Sequence, residues 1–359
     1  MVDTAPGSPG LAGLDQLLQT RGIEREADGF VVGCAASRDG RSLCFATGEG
    51  SLFVVPRAAA IAEPAVWRRV DGHDGAVLSL APDATPGGFL SGGDDNALRR
   101  LAGADAAEPE TLATGRRWVE HVASFFDGRN GLIAAAIGKQ VELRDARGAL
   151  LRTLEHPSTV GGVAFDAKGK RVAASHYGGA SVWFTASKNG AARELNWKGS
   201  HLAVALHPAG EAVVTAMQEC ELHGWRLEDA HNMRMSGYPQ KTESLCFSRN
   251  GRWLATGGAE VVVLWPFSGG GPMGKAPTEL AGVPEAICTR VAFHPQHDIV
   301  AAGFSDGTVL MSDVGSKRVL PVCGPGRGKV SALCFSPDGG CLLFGTEAGR
   351  MAVVDLSQR

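Results

Sequence analysis

One grammar recurs eight times along this chain and limits what it can fold into more than any other feature. An apolar strand is followed by a polar turn built on Asp-Gly or Pro-x-x-Gly, a second apolar strand ending in small residues, a short Gly, Asp or Glu turn, and a third apolar strand. Residues 330–355 carry the clearest copy, with Pro337, Asp338 and Gly339 in the first turn and Glu347, Ala348 and Gly349 in the second. Residues 291–309, 245–265, 204–225 and 163–183 follow the same order, and weaker copies occupy 119–145, 76–101 and 31–55. The first turns of the outermost copies, at Gly40 and Gly339, lie roughly 300 positions apart, so each interval is about 43 residues. A small sheet of this kind has two apolar faces and cannot bury both alone. Stacking the modules around an axis buries them and leaves only short edges.

The 359 residues are 44% hydrophobic and 20% charged, an ordinary globular balance. The 49 glycines have no three-residue period, which excludes collagen, and apolar runs recur throughout, which excludes long disorder. A formal net charge of -3 supplies no field to hold a phosphate backbone, so nucleic acid is not an expected partner. Residues 1–14 lack the basic start and apolar core of a secretory signal, and no run reaches the roughly 18 apolar residues of a spanning helix. The eight cysteines are scattered without a CxxC pair, and Cys44, Cys246 and Cys334 sit in strand-like runs. They read as reduced thiols. A cytoplasmic protein without membrane association is expected, and heavy use of Ala, Gly, Arg and Val resembles coding by a GC-rich bacterial genome.

With this period, and with Trp183, Trp225 and Trp265 ending third strands, residues 30–356 resemble the WD40-repeat family. The family's Trp-Asp signature is largely lost, since Leu101, Ser312 and Val354 stand at other Trp positions. Gly72-His73, followed by Ser91 and Asp95, matches the family's structural His-Ser-Asp hydrogen-bond network, and the three tryptophans match its structural Trp. The resemblance implies an all-β, WD40-like β-propeller. Eight blades are favoured; seven result if the first unit, with its short Gly48-Glu-Gly50 turn, packs as an extra hairpin. The chain ends just after the third strand of the last unit, so residues 21–27 are expected to complete that blade and close the ring. Leu11, Leu14, Leu17 and Leu18 fit one face of a short helix on the rim. The chain thus divides into an N-terminal segment, 1–29, and a single propeller domain, 30–359.

No catalytic constellation is present: there is no Gly-x-Ser-x-Gly, no His-Glu-x-x-His and no carboxylate pair suited to acid and base roles, and no cofactor is expected. Gly269-Gly-Gly-Pro-Met-Gly-Lys275 has the outline of a phosphate loop, but Ala276 replaces the magnesium-binding hydroxyl and Pro277 leads into no amphipathic helix. It reads as an inter-strand loop. His231, Met233 and Met235 alternate along one strand face, where soft ligands could hold copper(I); packing against the next blade is the commoner use of such a stripe, and no metal site is assigned.

In the family, loops before the first strand and between the second and third strands crowd one face of the disc, where partners dock. On this sequence those loops hold Arg116, Arg117, Trp118, His176, Tyr177, Lys198, His201, Gln218, Glu219, Tyr238, Gln240 and Lys241. Aromatic residues beside Arg are the usual chemistry of a protein-binding hot spot. The expected function is a non-enzymatic, monomeric scaffold that presents this face to a protein or peptide. The alternatives are a ligand or metal binder using the channel or the His- and Met-bearing central blades, and a metal-dependent propeller enzyme. Replacing Tyr177 and Tyr238 with Ala is expected to spare the fold and weaken partner capture.

Overall fold

A computed structural model describes residues 13–187 and 190–357. The chain is an all-β propeller whose modules are antiparallel meanders set side by side around an axis. Second strands run through the middle of each module and are buried on both faces, as in Ala212–Met217 and Cys341–Thr346. Outer strands such as Leu150–Glu155 are exposed along most of their length.

The small residues that end the second strands now have a steric reason. A Cβ on Gly303 would stand 2.3 Å from a methyl of Val330, and one on Gly345 would stand 2.3 Å from a methyl of Val31. Each glycine lets the first strand of the following module lie directly against the sheet. Burial is accordingly between modules: Val31, Leu43 and Phe45 of the first module pack with Leu343, Met351 and Val353 of the last.

Among the described residues seven hydrogen-bonded sheets surround the axis, against the eight blades favoured from the repeat. Six have four strands and one has six, because the copies at 163–183 and 204–225 are joined through Arg193–Leu206, which pairs by its first part with one copy and by its last part with the other. The merger arises in the backbone. Arg171–Phe184 keeps its pairing through the turn at Tyr177 and Gly178, where Gly178 has φ 93°, its first part lying against Val160–Phe165 and its second against Arg193–Leu206, and Arg193–Leu206 continues across the connection between the two copies. Within the first of these the Thr185 amide donates to the Lys170 carbonyl at 3.0 Å, so that stretch folds back on itself. The first unit, at 31–55, forms its own four-stranded sheet and is not an extra hairpin.

Gly22–Glu26 pairs antiparallel with Arg350–Asp355, in register from Gly22 opposite Val354 to Glu26 opposite Arg350. Arg327 reinforces this junction with Nε 2.6 Å from Glu24 and Nη1 3.1 Å from Asp15. The rim helix spans Gln16–Arg21, later than its expected start; Leu18 is buried beside Val309 and Val322, Leu17 packs at the edge of that cluster, and Leu11 lies outside the described residues. Among the described residues no helix is long and apolar enough to cross a membrane.

Deleting residues 1–26 is expected to lower the thermal unfolding midpoint by about 5 °C or more. A synthetic peptide covering 13–27 should recover part of that loss by re-forming the strand in trans. Differential scanning fluorimetry reads both effects, and unchanged melting of the shortened chain would show that the pairing adds no stability.

Candidate docking surface

In an antiparallel meander, the turn between second and third strands and the connection to the next module fall at the same end. The contacts agree. Tyr177 donates its amide to Ser158 Oγ at 2.8 Å, the Ser200 amide reaches Glu219 Oε1 at 3.1 Å, and the Gln240 amide reaches the Gly258 carbonyl at 3.2 Å. On this face Trp118 is 54% exposed and Tyr177 is 59% exposed. Arg116, Arg117, Lys198, Gln218, Glu219, Gln240 and Lys241 are exposed with them.

A hollow of about 320 Å³ opens beside Trp118, walled by Arg116, Arg117, Glu120, Asn96, Gly138 and Thr159. Thr159, in its wall, is the chain neighbour of Ser158, which accepts the Tyr177 amide. Among the described residues, Arg116, Arg117, Lys198 and Lys241 form no ion pair. Burial raises the Glu120 carboxyl, opposed by the charge of Arg117.

Three of the residues expected on this surface are instead inside it. His176 and His201 are each 2% exposed and Tyr238 is 9% exposed. Trp265 Nε1 donates to Tyr238 Oη at 2.6 Å, Tyr238 Oη meets Thr256 Oγ1 at 2.7 Å, and Thr256 donates on to the Val263 carbonyl. Burial pushes the Tyr238 hydroxyl up to about 12. His176 Nε2 lies 2.9 Å from Ser181 Oγ, and His201 Nδ1 lies 2.7 Å from Thr215 Oγ1. These groups tie connections to the strands beneath them, and the expectation that Tyr238→Ala would spare the fold is corrected accordingly.

The same construction occurs at His73, whose Nδ1 is 2.8 Å from Asp95 and whose Nε2 is 2.8 Å from Ser91. The Asp95 carboxylate can only accept, so Nδ1 carries the proton and Ser91 donates to Nε2. Trp225 is 1% exposed and stands edge-on to His223, which also stacks on Trp197. Trp183 is half-buried, with the Arg152 guanidinium 4.8 Å above its ring.

The other candidates separate cleanly. Met233 and Met235 are buried in the core while His231 is exposed, so the stripe does not converge. Among the described residues no group of three His, Cys, Asp or Glu side chains could hold a metal ion. Lys275 turns back onto the carbonyls of its own loop, Ser268 and Gly271. The larger cavities lie elsewhere: about 790 Å³ beside Arg57 and Cys341, and about 710 Å³ along the axis between first strands.

Tyr238→Phe keeps the ring but leaves the buried Trp265 N–H without its acceptor, and should cost about 1–3 kcal/mol in denaturant unfolding. Acid provides a second check. Burial, with His176 adding to it, lowers His156 from 6.5 to about 4, and burial lowers His73, His201 and His223 too. Between those two values the unfolded chain binds more protons than the folded one, so stability is complete above about pH 6.5 and is lost as pH falls through the window. Thermal melts across that range should show the decline, and His156→Phe should make it shallower.

A model of the anaphase-promoting complex subunit 4 WD40 domain matches residues 291–359. Among solved structures, the chain is similar to the computationally designed Ika8 protein, with a TM-score of 0.70 and 20% identity over 92% of this chain and 98% of that one. At that identity the likeness carries the fold alone. No curated protein matches the sequence. The modules set around an axis make this chain a β-propeller, and its last two modules are similar to a WD40 domain.

Proposed function

We propose that the protein is a non-enzymatic scaffold that holds a protein or peptide partner on the face bearing Trp118 and Tyr177. The observation that carries this reading is the exposed Trp118 ring beside a hollow whose arginines, Arg116 and Arg117, form no ion pair among the described residues, with Tyr177 exposed on the same face. A rigid surface loses little conformational entropy on binding, and aromatic and Arg side chains supply the anchoring contacts. Arg116 and Arg117, which form no ion pair among the described residues, with Lys198 and Lys241 on the same face, favour an acidic partner segment over a basic one. The match to a subunit domain of a multiprotein complex fits a role in assembly.

On this reading the six-stranded sheet counts as two blades of an eight-bladed ring, because its Thr185-to-Lys170 bond repeats one that other modules make, for example Phe267 to Arg252. The pairing of Gly22–Glu26 with the last module then acts as the ring's closure, and residues 30–359 form one domain with that strand added. The protein works as a cytoplasmic monomeric ring, apart from membranes and nucleic acid. A small apolar ligand in the axial cavity of about 710 Å³ is the second reading; thermal-shift screening separates it from the first.

The test is affinity capture from the protein's own cell extract with quantitative mass spectrometry. Trp118→Ala and Tyr177→Ala should each lower recovery of the partner by about tenfold or more. Met273→Ala, an exposed change on the loop between Val261–Pro266 and Thr278–Gly282, should leave recovery unchanged. Equal capture by all three variants would rule this face out.

A further inference from the structure

Two thiols meet where the ring closes. Cys34 lies on Val31–Ala36, the first strand of the first module, and Cys334 lies on Val330–Phe335, the first strand of the last. Their sulfurs are 3.6 Å apart although 300 positions separate the residues in the chain. A disulfide needs about 2.05 Å between sulfurs, so the gap closes by roughly 1.5 Å shared between two side chains that can each rotate. Both residues are half-buried and line the axial cavity, which gives a small oxidant a route to them. The strands that carry them are packed side by side, with Ser331 Oγ donating to the Val31 carbonyl across the same seam. Among the described residues no other pair of sulfurs lies within hydrogen-bond distance; Cys44, near Cys34, is fully buried, and Cys246 faces the cavity without a thiol neighbour.

We propose that Cys34 and Cys334 form a peroxide-sensitive thiol pair whose disulfide joins the first and last modules of the ring. In the first step the sulfur of Cys334 attacks one oxygen of hydrogen peroxide, the O–O bond breaks, and the departing hydroxide takes the thiol proton as water, leaving a sulfenic acid. In the second the sulfur of Cys34 attacks the sulfenic sulfur, the S–O bond breaks, and hydroxide leaves with the Cys34 proton as a second water. Two thiols are oxidised and one peroxide is reduced. Burial pushes the Cys34 thiol well up, which disfavours its thiolate and so leaves the first attack to Cys334. The product ties together the two strands whose packing completes the ring.

The full chain, reduced and desalted, is treated with hydrogen peroxide, digested with trypsin without reductant and read by mass spectrometry. The expected product is residues 26–38 linked to residues 330–350 with loss of two hydrogens, fragment ions placing the bond on Cys334 and not on Cys341. The linked protein should melt about 5 °C higher than the reduced protein, and dithiothreitol should reverse the shift. C34S and C334S should give neither the linked peptide nor the shift, with C34A as a second variant whose reduced form is checked against wild type by circular dichroism. No linked peptide, a bond to any other cysteine, or a linked chain that melts with the reduced one would overturn the proposal.

Discussion

Every stable feature of this protein depends on the contact of one sheet's face with the next. A four-stranded meander has a core on neither side until its neighbours arrive, so apolar area is buried between modules and none of them is self-sufficient. The close approach this requires is set by glycine at the end of second strands: Gly303 admits Val330 and Gly345 admits Val31. Any side chain larger than hydrogen there meets the facing valine at far less than van der Waals distance, and the error would be felt around the whole ring.

Polar pins complement that packing. The connections between modules carry a buried ring, from His73, His201 or Tyr238, whose polar atoms bond to a hydroxyl on the second strand. Because these groups are dry, each bond is costly to lose, and each holds a connection in one place on the strand ends. Trp118 and Tyr177 lie on other loops at the same end of the modules, Tyr177 with its amide held by Ser158.

Much of the architecture could be read from the chain because strand length, turn chemistry and small residues are local and periodic. The joining of two copies into one sheet could not, since it depends on whether strand pairing continues without a break through the turn at Tyr177-Gly178 and across 193–206. Tyr238 was open to a better reading: it precedes Thr256 by 18 positions, the separation between His73 and Ser91, and Trp265 follows at the family's tryptophan position. A tyrosine doing a histidine's work is visible in that spacing and invisible in composition. His176 and His201 were misplaced for a related reason, as loop position says which end of a module a residue occupies but not whether its ring points into the sheet. Trp118 and Tyr177 fall on loops at the same end with their rings outward, a difference that only packing decides.

The pairing of Gly22–Glu26 with Arg350–Asp355 has a consequence for biosynthesis. A ribosome delivers Gly22–Glu26 before every module of the ring, and the strand it pairs with does not exist until all of them have been made. Throughout that interval the leading module has an unsatisfied flank, Val31, Leu43 and Phe45 among its residues, which in the mature protein is covered by Leu343 and Val353. The nascent chain must therefore be shielded or quick, and the contacts of greatest sequence separation are the ones made last.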